Sequence, residues 1–342
     1  MNITTPLEKL TAKDFATDQE VRWCPGCGDY AILKAVQKTM PELGLARENI
    51  VFVSGIGCAS RFPYYMNTYG FHTIHGRAPA FATGIKLANP ELSVWLVTGD
   101  GDGLSIGGNH LLHILRRNVD VQILLFNNEI YGLTKGQYSP TSRLGTRSPS
   151  TPAGSIDNPL SPTEFALGAG GRFVARGIDT QQKRLPDLFK RAYAHKGASF
   201  IEIFQNCIVY NDAVFNDFTE KSVAAEKQIH VEHGKPLLYG KEGSLGLRLK
   251  QSSLELEVVT VGENGVQEGD LLVHDETNRT LASLLASMQP PDFPMAIGIL
   301  YCNPSEPYTD KIQGQIEDAK AKAPAGDLNA LLRSGHTWNV TN

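Results

Sequence analysis

The chain has 342 residues, of which 41% are hydrophobic and 20% charged, and its formal net charge is −4. These values describe a globular chain long enough for one large or two modest domains, and they give no electrostatic reason to expect a nucleic acid partner. No apolar run approaches the ~20 residues that span a bilayer. The first twenty residues are polar with no signal-peptide apolar core, so a cytoplasmic location without membrane contact is expected. Five cysteines in that compartment point to metal or redox chemistry rather than disulfides.

Residues 1–21 read as an irregular arm. Trp23-Cys24-Pro25-Gly26-Cys27 follows, a Cys-x-x-Cys turn in which Pro and Gly let two thiolates converge on one metal centre. Two buried structural cysteines are the alternative. A helix is predicted over 30–39, with Ile32, Leu33, Val36 and Met40 on one face. The strand 50–54 ends in Gly55-Ile56-Gly57-Cys58-Ala59-Ser60-Arg61, a glycine-rich turn that carries a third cysteine. Residues 64–77 read as aromatic and irregular, and spacing alone assigns no role to His72 or His75 within them. A helix over 79–87 comes next.

The apolar run 93–98 leads into Gly99-Asp100-Gly101-Asp102-Gly103, and a second run, 121–126, leads into Asn127-Asn128-Glu129-Ile130. Between them Ile106, Leu111, Leu112, Ile114 and Leu115 fall at helical spacing, with Arg116 and Arg117 in the last turn. A strand–helix–strand unit of this kind belongs to a parallel sheet. It puts Asp100 and Asn128 at the carboxyl ends of neighbouring strands, where open α/β sheets bind ligands. An acidic oxygen, an amide oxygen, backbone carbonyls and a glycine turn feeding a helix suit Mg²⁺ carrying a diphosphate.

Residues 131–162 are rich in Ser, Thr, Pro and Gly and read as an active-site loop. A helix over 164–169, a strand over 173–176 and a helix over 184–195 follow. The strand 199–204 then delivers Gln205-Asn206-Cys207. Cys58 and Cys207 thus share a sheet edge with Asp100 and Asn128. From 217 the character changes: a charged helix is predicted over 219–228, short strands such as 254–261, a helix near 279–287, and a charged, helical or loose end over 310–332. The fold class is α/β: a doubly wound, mainly parallel sheet over 1–216, with an extension over 217–342 that packs on it or on a partner.

Cys-x-x-Cys, Gly-Ile-Gly-Cys, Gly-Asp-Gly-Asp, Asn-Asn-x-Ile-Tyr-Gly and a late cysteine, in that order, resemble the beta subunits of the 2-oxoacid:ferredoxin oxidoreductases. The loop Tyr-Gly-x-Thr-x-Gly-Gln-x-Ser-Pro-Thr narrows a general thiamine diphosphate signature to that family. The motifs cover 23–211, and Gly-Lys-Pro-Leu and Leu-Leu-Val-His-Asp-Glu carry the likeness into the tail. The resemblance implies a thiamine diphosphate-binding fold. It also implies Mg²⁺ ligands at Asp100, Asn128 and the carbonyl of Ile130, and diphosphate contacts at Gly101, Asp102, Gly132 and Leu133. Thiamine contacts are implied at Ile56, Gly57, Cys58, Ala59 and His75. Cys24, Cys27, Cys58 and Cys207 would hold a [4Fe–4S] cluster, leaving Cys302 without a role. The implied reaction is the coenzyme A-dependent oxidation of a 2-oxoacid, with electrons passing to ferredoxin.

On chemistry alone, four thiolates fit either an iron–sulfur cluster or a structural Zn²⁺. Cys58 is within two residues of the turn expected to touch thiamine, at most ~7 Å of chain, which a redox cluster needs and a structural zinc does not. Arg61 and Lys135 flank the cofactor loops and are candidates to pair with a second substrate carboxylate. That favours 2-oxoglutarate over pyruvate or a broad range of 2-oxoacids. The chain shows no candidate for the carboxylate that activates the aminopyrimidine ring. In the related family an alpha subunit supplies it, in a dimer of alpha–beta pairs. The competing readings are a non-redox thiamine decarboxylase or synthase with a zinc site, and a relay or scaffolding subunit without thiamine.

Overall fold

The structure is a computed structural model, and it describes residues 10–250, 252–323 and 326–341. Of the N-terminal arm, residues 1–9 lie outside the described residues. The remainder is anchored by a short 3₁₀ turn, Ala12–Phe15, whose Phe15 is fully buried.

In chain order the elements are α1 (Asp29–Thr39), β1 (Ile50–Ser54), β2 (Tyr69–His72), α2 (Ala78–Ala88), β3 (Ser93–Gly99), α3 (Asp100–Leu104), α4 (Gly108–Arg117) and β4 (Gln122–Asn127). A small hairpin, β5 (Ile130–Tyr131) and β6 (Gln137–Tyr138), precedes α5 (Pro162–Gly168), β7 (Phe173–Ile178), α6 (Leu185–Ala194) and β8 (Ser199–Phe204). Then come α7 (Asn216–Thr219), α8 (Ala224–Lys227), β9 (Gln228–Val231), β10 (Leu238–Tyr239), β11 (Leu245–Leu249) and β12 (Leu256–Thr260). The chain closes with α9 (Arg279–Ser287), β13 (Met295–Cys302), α10 (Tyr308–Lys322) and α11 (Leu328–Leu332). Among the described residues no helix is long and apolar enough to cross a membrane.

Eight strands form the main sheet in the order β2-β1-β3-β4-β8-β7-β13-β9. Every pairing is parallel except that of β13 with β7. The central strands are mostly apolar and almost wholly buried because both faces are covered. Val51, Val53, Leu96, Ile123 and Leu125 pack into one core with Ala82 of α2, Leu111 of α4 and Leu285 of α9. Their neighbours Phe52, Trp95, Val97, Leu124 and Ile201 fill the opposite core with Val36 of α1 and Phe189 of α6. The doubly wound α/β architecture therefore follows from strands that alternate between two apolar faces rather than between core and water.

Four expectations need correction. Residues 64–77 include an edge strand, β2, parallel to β1. All four of its residues are exposed, so it lacks the buried alternation that marks a strand. The helix expected to begin at Ile106 is split, with Ser105 at ψ −106° separating α3 from α4. The break lets Gly107 pass against Gly76, where a Cβ would meet a backbone nitrogen at 2.4 Å. The charged helix at 219–228 is two single turns, α7 and α8, and from Gln228 the chain pairs with β13 instead. Finally, the segment from 217 onward does more than pack on the main sheet. It supplies β13 and β9 as its last two strands, while β10, β11 and β12 form a separate small sheet.

Candidate functional site

Four neighbouring parallel strands, β1, β3, β4 and β8, end at one edge of the sheet. The residues just past their ends are Gly55, Asp100, Asn128 and Gln205. A single cavity there is lined by Ile56, Gly57, Cys58, Ala59 and His75 from one side and Asp100, Gly101 and Asp102 from below. Asn128, Ile130, Tyr131, Gly132 and Leu133 close the other side. Every residue expected at the cation, diphosphate and thiamine positions is thus brought to one place. Gly101 sits under Tyr131, where a Cβ would fall 2.2 Å from the ring, and the Tyr131 hydroxyl donates to the Gly101 carbonyl at 3.0 Å.

Asp100 is buried, and its Oδ2 accepts from the Ser139 hydroxyl at 2.5 Å and the Thr141 hydroxyl at 2.6 Å. Those donors leave the second carboxylate oxygen available for a cation. Burial pushes the Asp100 carboxyl up to about 6, with the two hydroxyls opposing that rise. The loop 131–162 therefore folds back onto the site, and its Ser139 and Thr141 are partners of Asp100 that sequence reading missed. Thr141 also donates to Asn127 Oδ1 at 2.9 Å. Asn127 Nδ2 in turn donates to the buried Glu202, which pairs with Arg176 at 2.9 Å. The Asn128 amide nitrogen donates to Gln205 Oε1 at 2.8 Å.

The Asp102 side chain is taken up by the protein itself. Its Oδ1 accepts from the Ile56 amide (3.1 Å), the Gly76 amide (2.9 Å) and His75 Nδ1 (3.0 Å), and its Oδ2 from the Thr98 hydroxyl (2.8 Å). With four donors on a buried carboxylate, the side chain clamps the thiamine-side turn to α3, and only its backbone is left for a ligand. The same bond sets the His75 tautomer, with Nδ1 toward Asp102 and Nε2 free. His72 instead contacts the Ser54 hydroxyl and the Ser60 carbonyl. Among the described residues Asp100 and Asp102 are the only carboxylates lining this cavity, and both are engaged.

The four cysteines gather beside the same cavity. The Cys27 amide donates to the Cys24 carbonyl at 3.0 Å, with Gly26 at φ 85° completing the turn. The Gly28 amide bonds to the Asn206 carbonyl at 3.1 Å, tying that turn to the Cys207 loop. Trp23 Nε1 holds the Cys58 carbonyl at 2.7 Å. A Cβ on Gly132 would lie 3.5 Å from the Cys207 sulfur and 3.7 Å from the Cys58 sulfur. Burial, Asp29 and the neighbouring sulfurs push the Cys58 thiol up to about 12, and burial raises Cys27 as well. A bound cation favours the thiolate form that burial disfavours. Cys302 lies apart, near His195.

A second cleft adjoins the first through Ile56, Gly57 and Leu133, and Arg61 lines it together with Arg22, Tyr64 and His72. Lys135 lines neither cleft and sits exposed in a left-handed conformation at φ 73°. Of the two candidate cations, only Arg61 lines a cleft that adjoins the cavity.

Residues 55–203 match the thiamine pyrophosphate enzyme C-terminal TPP binding domain. The 2-oxoacid:ferredoxin oxidoreductase subunit beta of Saccharolobus solfataricus is 46% identical over 203 residues, 59% of this chain and 67% of that one. The 2-oxoglutarate oxidoreductase subunit KorB of Mycobacterium tuberculosis is 50% identical over 343 residues, 99% of this chain and 91% of that one. The chain belongs to the 2-oxoacid:ferredoxin oxidoreductase beta subunits. This beta subunit also superposes on the 2-oxoglutarate:ferredoxin oxidoreductase from Magnetococcus marinus, solved with 2-oxoglutarate, coenzyme A and succinyl-CoA bound. That match has a TM-score of 0.76 and 31% identity, and it covers 97% of this beta subunit and 98% of that chain.

Proposed function

We infer that this chain is the beta subunit of a cytoplasmic 2-oxoglutarate:ferredoxin oxidoreductase. Coenzyme A takes the acyl group and ferredoxin the electrons. The observation that carries the reading is the shared edge: the cavity of Asp100, Asn128 and Ile130 opens onto Gly132, against which the Cys58 and Cys207 sulfurs are packed. The likeness to the Mycobacterium tuberculosis and Magnetococcus marinus proteins supports 2-oxoglutarate as the substrate.

Asp100, Asn128 and the Ile130 carbonyl would hold Mg²⁺, a set of hard oxygen donors suited to that ion. The backbone amides of Gly101 and Asp102 would face the diphosphate, since first-turn helix amides lack intrahelical partners. His75 Nε2 and the turn at Ile56, Gly57, Cys58 and Ala59 would orient the thiamine, and Gly132 and Leu133 would flank the diphosphate from the other side. Thiamine diphosphate, when bound, supplies the carbanion chemistry that decarboxylates a 2-oxoacid. Arg61, at the mouth of the adjoining cleft, would pair with the second carboxylate of the substrate.

Cys24, Cys27, Cys58 and Cys207 would hold a [4Fe–4S] cluster, which supplies one-electron acceptor chemistry beside the thiamine. Among the described residues no three His, Cys, Asp or Glu side chains converge as a single ion requires. Tetrahedral zinc needs sulfurs about 3.8 Å apart, whereas a cuboidal cluster binds each cysteine to a separate iron. Both carboxylates of the cavity are engaged, which agrees with what the family resemblance implies: an activating carboxylate supplied by an alpha subunit, in a dimer of alpha–beta pairs. Anaerobic co-purification with that subunit, followed by viologen reduction on a 2-oxoacid panel, tests the reading. Turnover is expected only with the partner present and with 2-oxoglutarate preferred. Turnover by the isolated chain, a clear preference for pyruvate, or zinc without acid-labile sulfide would refute the corresponding part.

A further inference from the structure

One side chain touches both corners of the site. Gln205 follows β8 and is fully buried, and its backbone amide continues the sheet by donating to the Asn127 carbonyl at 2.8 Å. Its carboxamide oxygen accepts from Asn128 Nδ2 at 2.8 Å. Its carboxamide nitrogen donates to the Cys27 sulfur at 3.2 Å and to the Asn206 carbonyl at 2.7 Å. Turning the carboxamide over would set an oxygen against a carbonyl and a sulfur, and a nitrogen against a nitrogen. The orientation is therefore determined by its surroundings.

We propose that Gln205 is a positioning residue that couples the cation site to the cysteine site. Toward the cation, its oxygen takes the Asn128 Nδ2 hydrogen and so leaves Oδ1, which accepts from the Ile130 amide at 3.2 Å, as the Asn128 atom with a lone pair for a metal. A partner of this kind, one bond behind a ligand, sets the ligand's orientation and the site's affinity. Toward the cysteines, an N–H aimed at a ligating thiolate withdraws negative charge from the sulfur. Hydrogen bonds to cluster sulfurs are among the determinants of reduction potential. One carboxamide thus makes the potential of the cluster and the affinity for Mg²⁺ depend on the same rotamer. The inference rests on the cofactor assignment above.

Gln205→Glu and Gln205→Met in the alpha–beta complex, purified anaerobically, separate the two roles. Glutamate keeps an acceptor for Asn128 but has no donor for Cys27, and methionine has neither. The readouts are the midpoint of an EPR-monitored redox titration and the Mg²⁺ concentration that half-saturates thiamine diphosphate binding. Gln205→Glu is expected to move the midpoint to more negative potential with Mg²⁺ half-saturation within about threefold of the parent, against about tenfold weakening in Gln205→Met. A merely structural role would not separate them in this way. An unchanged midpoint in Gln205→Glu with full iron and sulfide content overturns the coupling, as does equal loss of Mg²⁺ affinity in both variants. If Gln205→Met does not accumulate as folded complex, the Gln205→Glu midpoint alone decides. Absence of iron and sulfide from the parent complex would instead refute the cluster assignment.

Discussion

The cation corner and the cysteine corner adjoin but are built on opposite plans. At the cation corner the side chains bond to one another: Asp100 is held by two hydroxyls and Asp102 by four donors. At the cysteine corner the bonds are made by backbone, between Cys27 and Cys24, Gly28 and Asn206, and Trp23 and the Cys58 carbonyl. Of the sulfurs, Cys27 accepts from the Gln205 carboxamide and lies against the buried Asp29. The first corner is organised before anything binds, as electrostatic preorganisation requires. The second holds its loops in place and leaves the thiols to be ordered by what they ligate.

The sharpest way to break this comparison is to remove the one cysteine that belongs to both corners. Cys58→Ser is expected to abolish the iron–sulfur absorbance and with it viologen reduction; retention of stoichiometric iron and sulfide would show that Cys58 is no ligand. Asp100→Ala should do the reverse, weakening thiamine diphosphate binding by about 100-fold while iron content stays at the parent level. Joint loss of both groups would mean that the two corners assemble as one. A smaller effect is expected next door, in the cleft lined by Arg61. Arg61→Ala should raise KM for 2-oxoglutarate roughly tenfold, the cost of one charge-assisted hydrogen bond, and leave pyruvate unaffected. Lys135→Ala should change neither constant, and equal effects from the two substitutions would remove the basis for choosing Arg61.

The smallest effect lies far from both corners. Burial pushes His195 down to about 4, against the pull of Asp120, and burial with Arg184 pushes His230 down to about 4. Unfolded histidines take up protons below about 6.5, and these two resist until about pH 4 when folded. Stability that is complete above pH 6.5 is therefore lost as pH falls from 6.5 toward 4. Thermal melts across that window should show Tm falling on acidification, with a shallower slope in the His195→Gln, His230→Gln double variant. Parallel slopes would assign the acid sensitivity to other groups.

Much of this was legible because the chain writes it locally. Apolar runs that stop at glycine or asparagine mark strands that end on ligands, so Asp100, Asn128, Cys58 and Cys207 could be set on one edge before any geometry was known. What the chain does not write locally is which polar groups meet across it. Asp102 looks like a diphosphate ligand from its motif, yet its four partners come from 98, 56, 75 and 76. Arg61 and Lys135 look equivalent by charge, and only the folded chain separates them, with Arg61 lining the adjoining cleft and Lys135 exposed in a left-handed turn. β2 has no buried face to give it a period, and Gln228 belongs to a strand because β13, nearly seventy residues later in the chain, lies beside it.

The clamp at Asp102 also bears on how the protein acquires its cofactor pocket. Its bonds to Ile56 and to Gly76 span 46 and 26 residues of chain, so they form only when β1 and β3 lie side by side. Closing loops of that length is an entropic cost met once, by the sheet, so the pocket is assembled by the folded sheet rather than by any local segment. A ligand that recognises this pocket therefore binds the native chain alone, and by mass action it adds to folding stability in proportion to the logarithm of its concentration. For this beta subunit, whose matched domain is a thiamine pyrophosphate binding domain, the supply of thiamine diphosphate would bear on how stable the folded chain is, as well as on how fast it works.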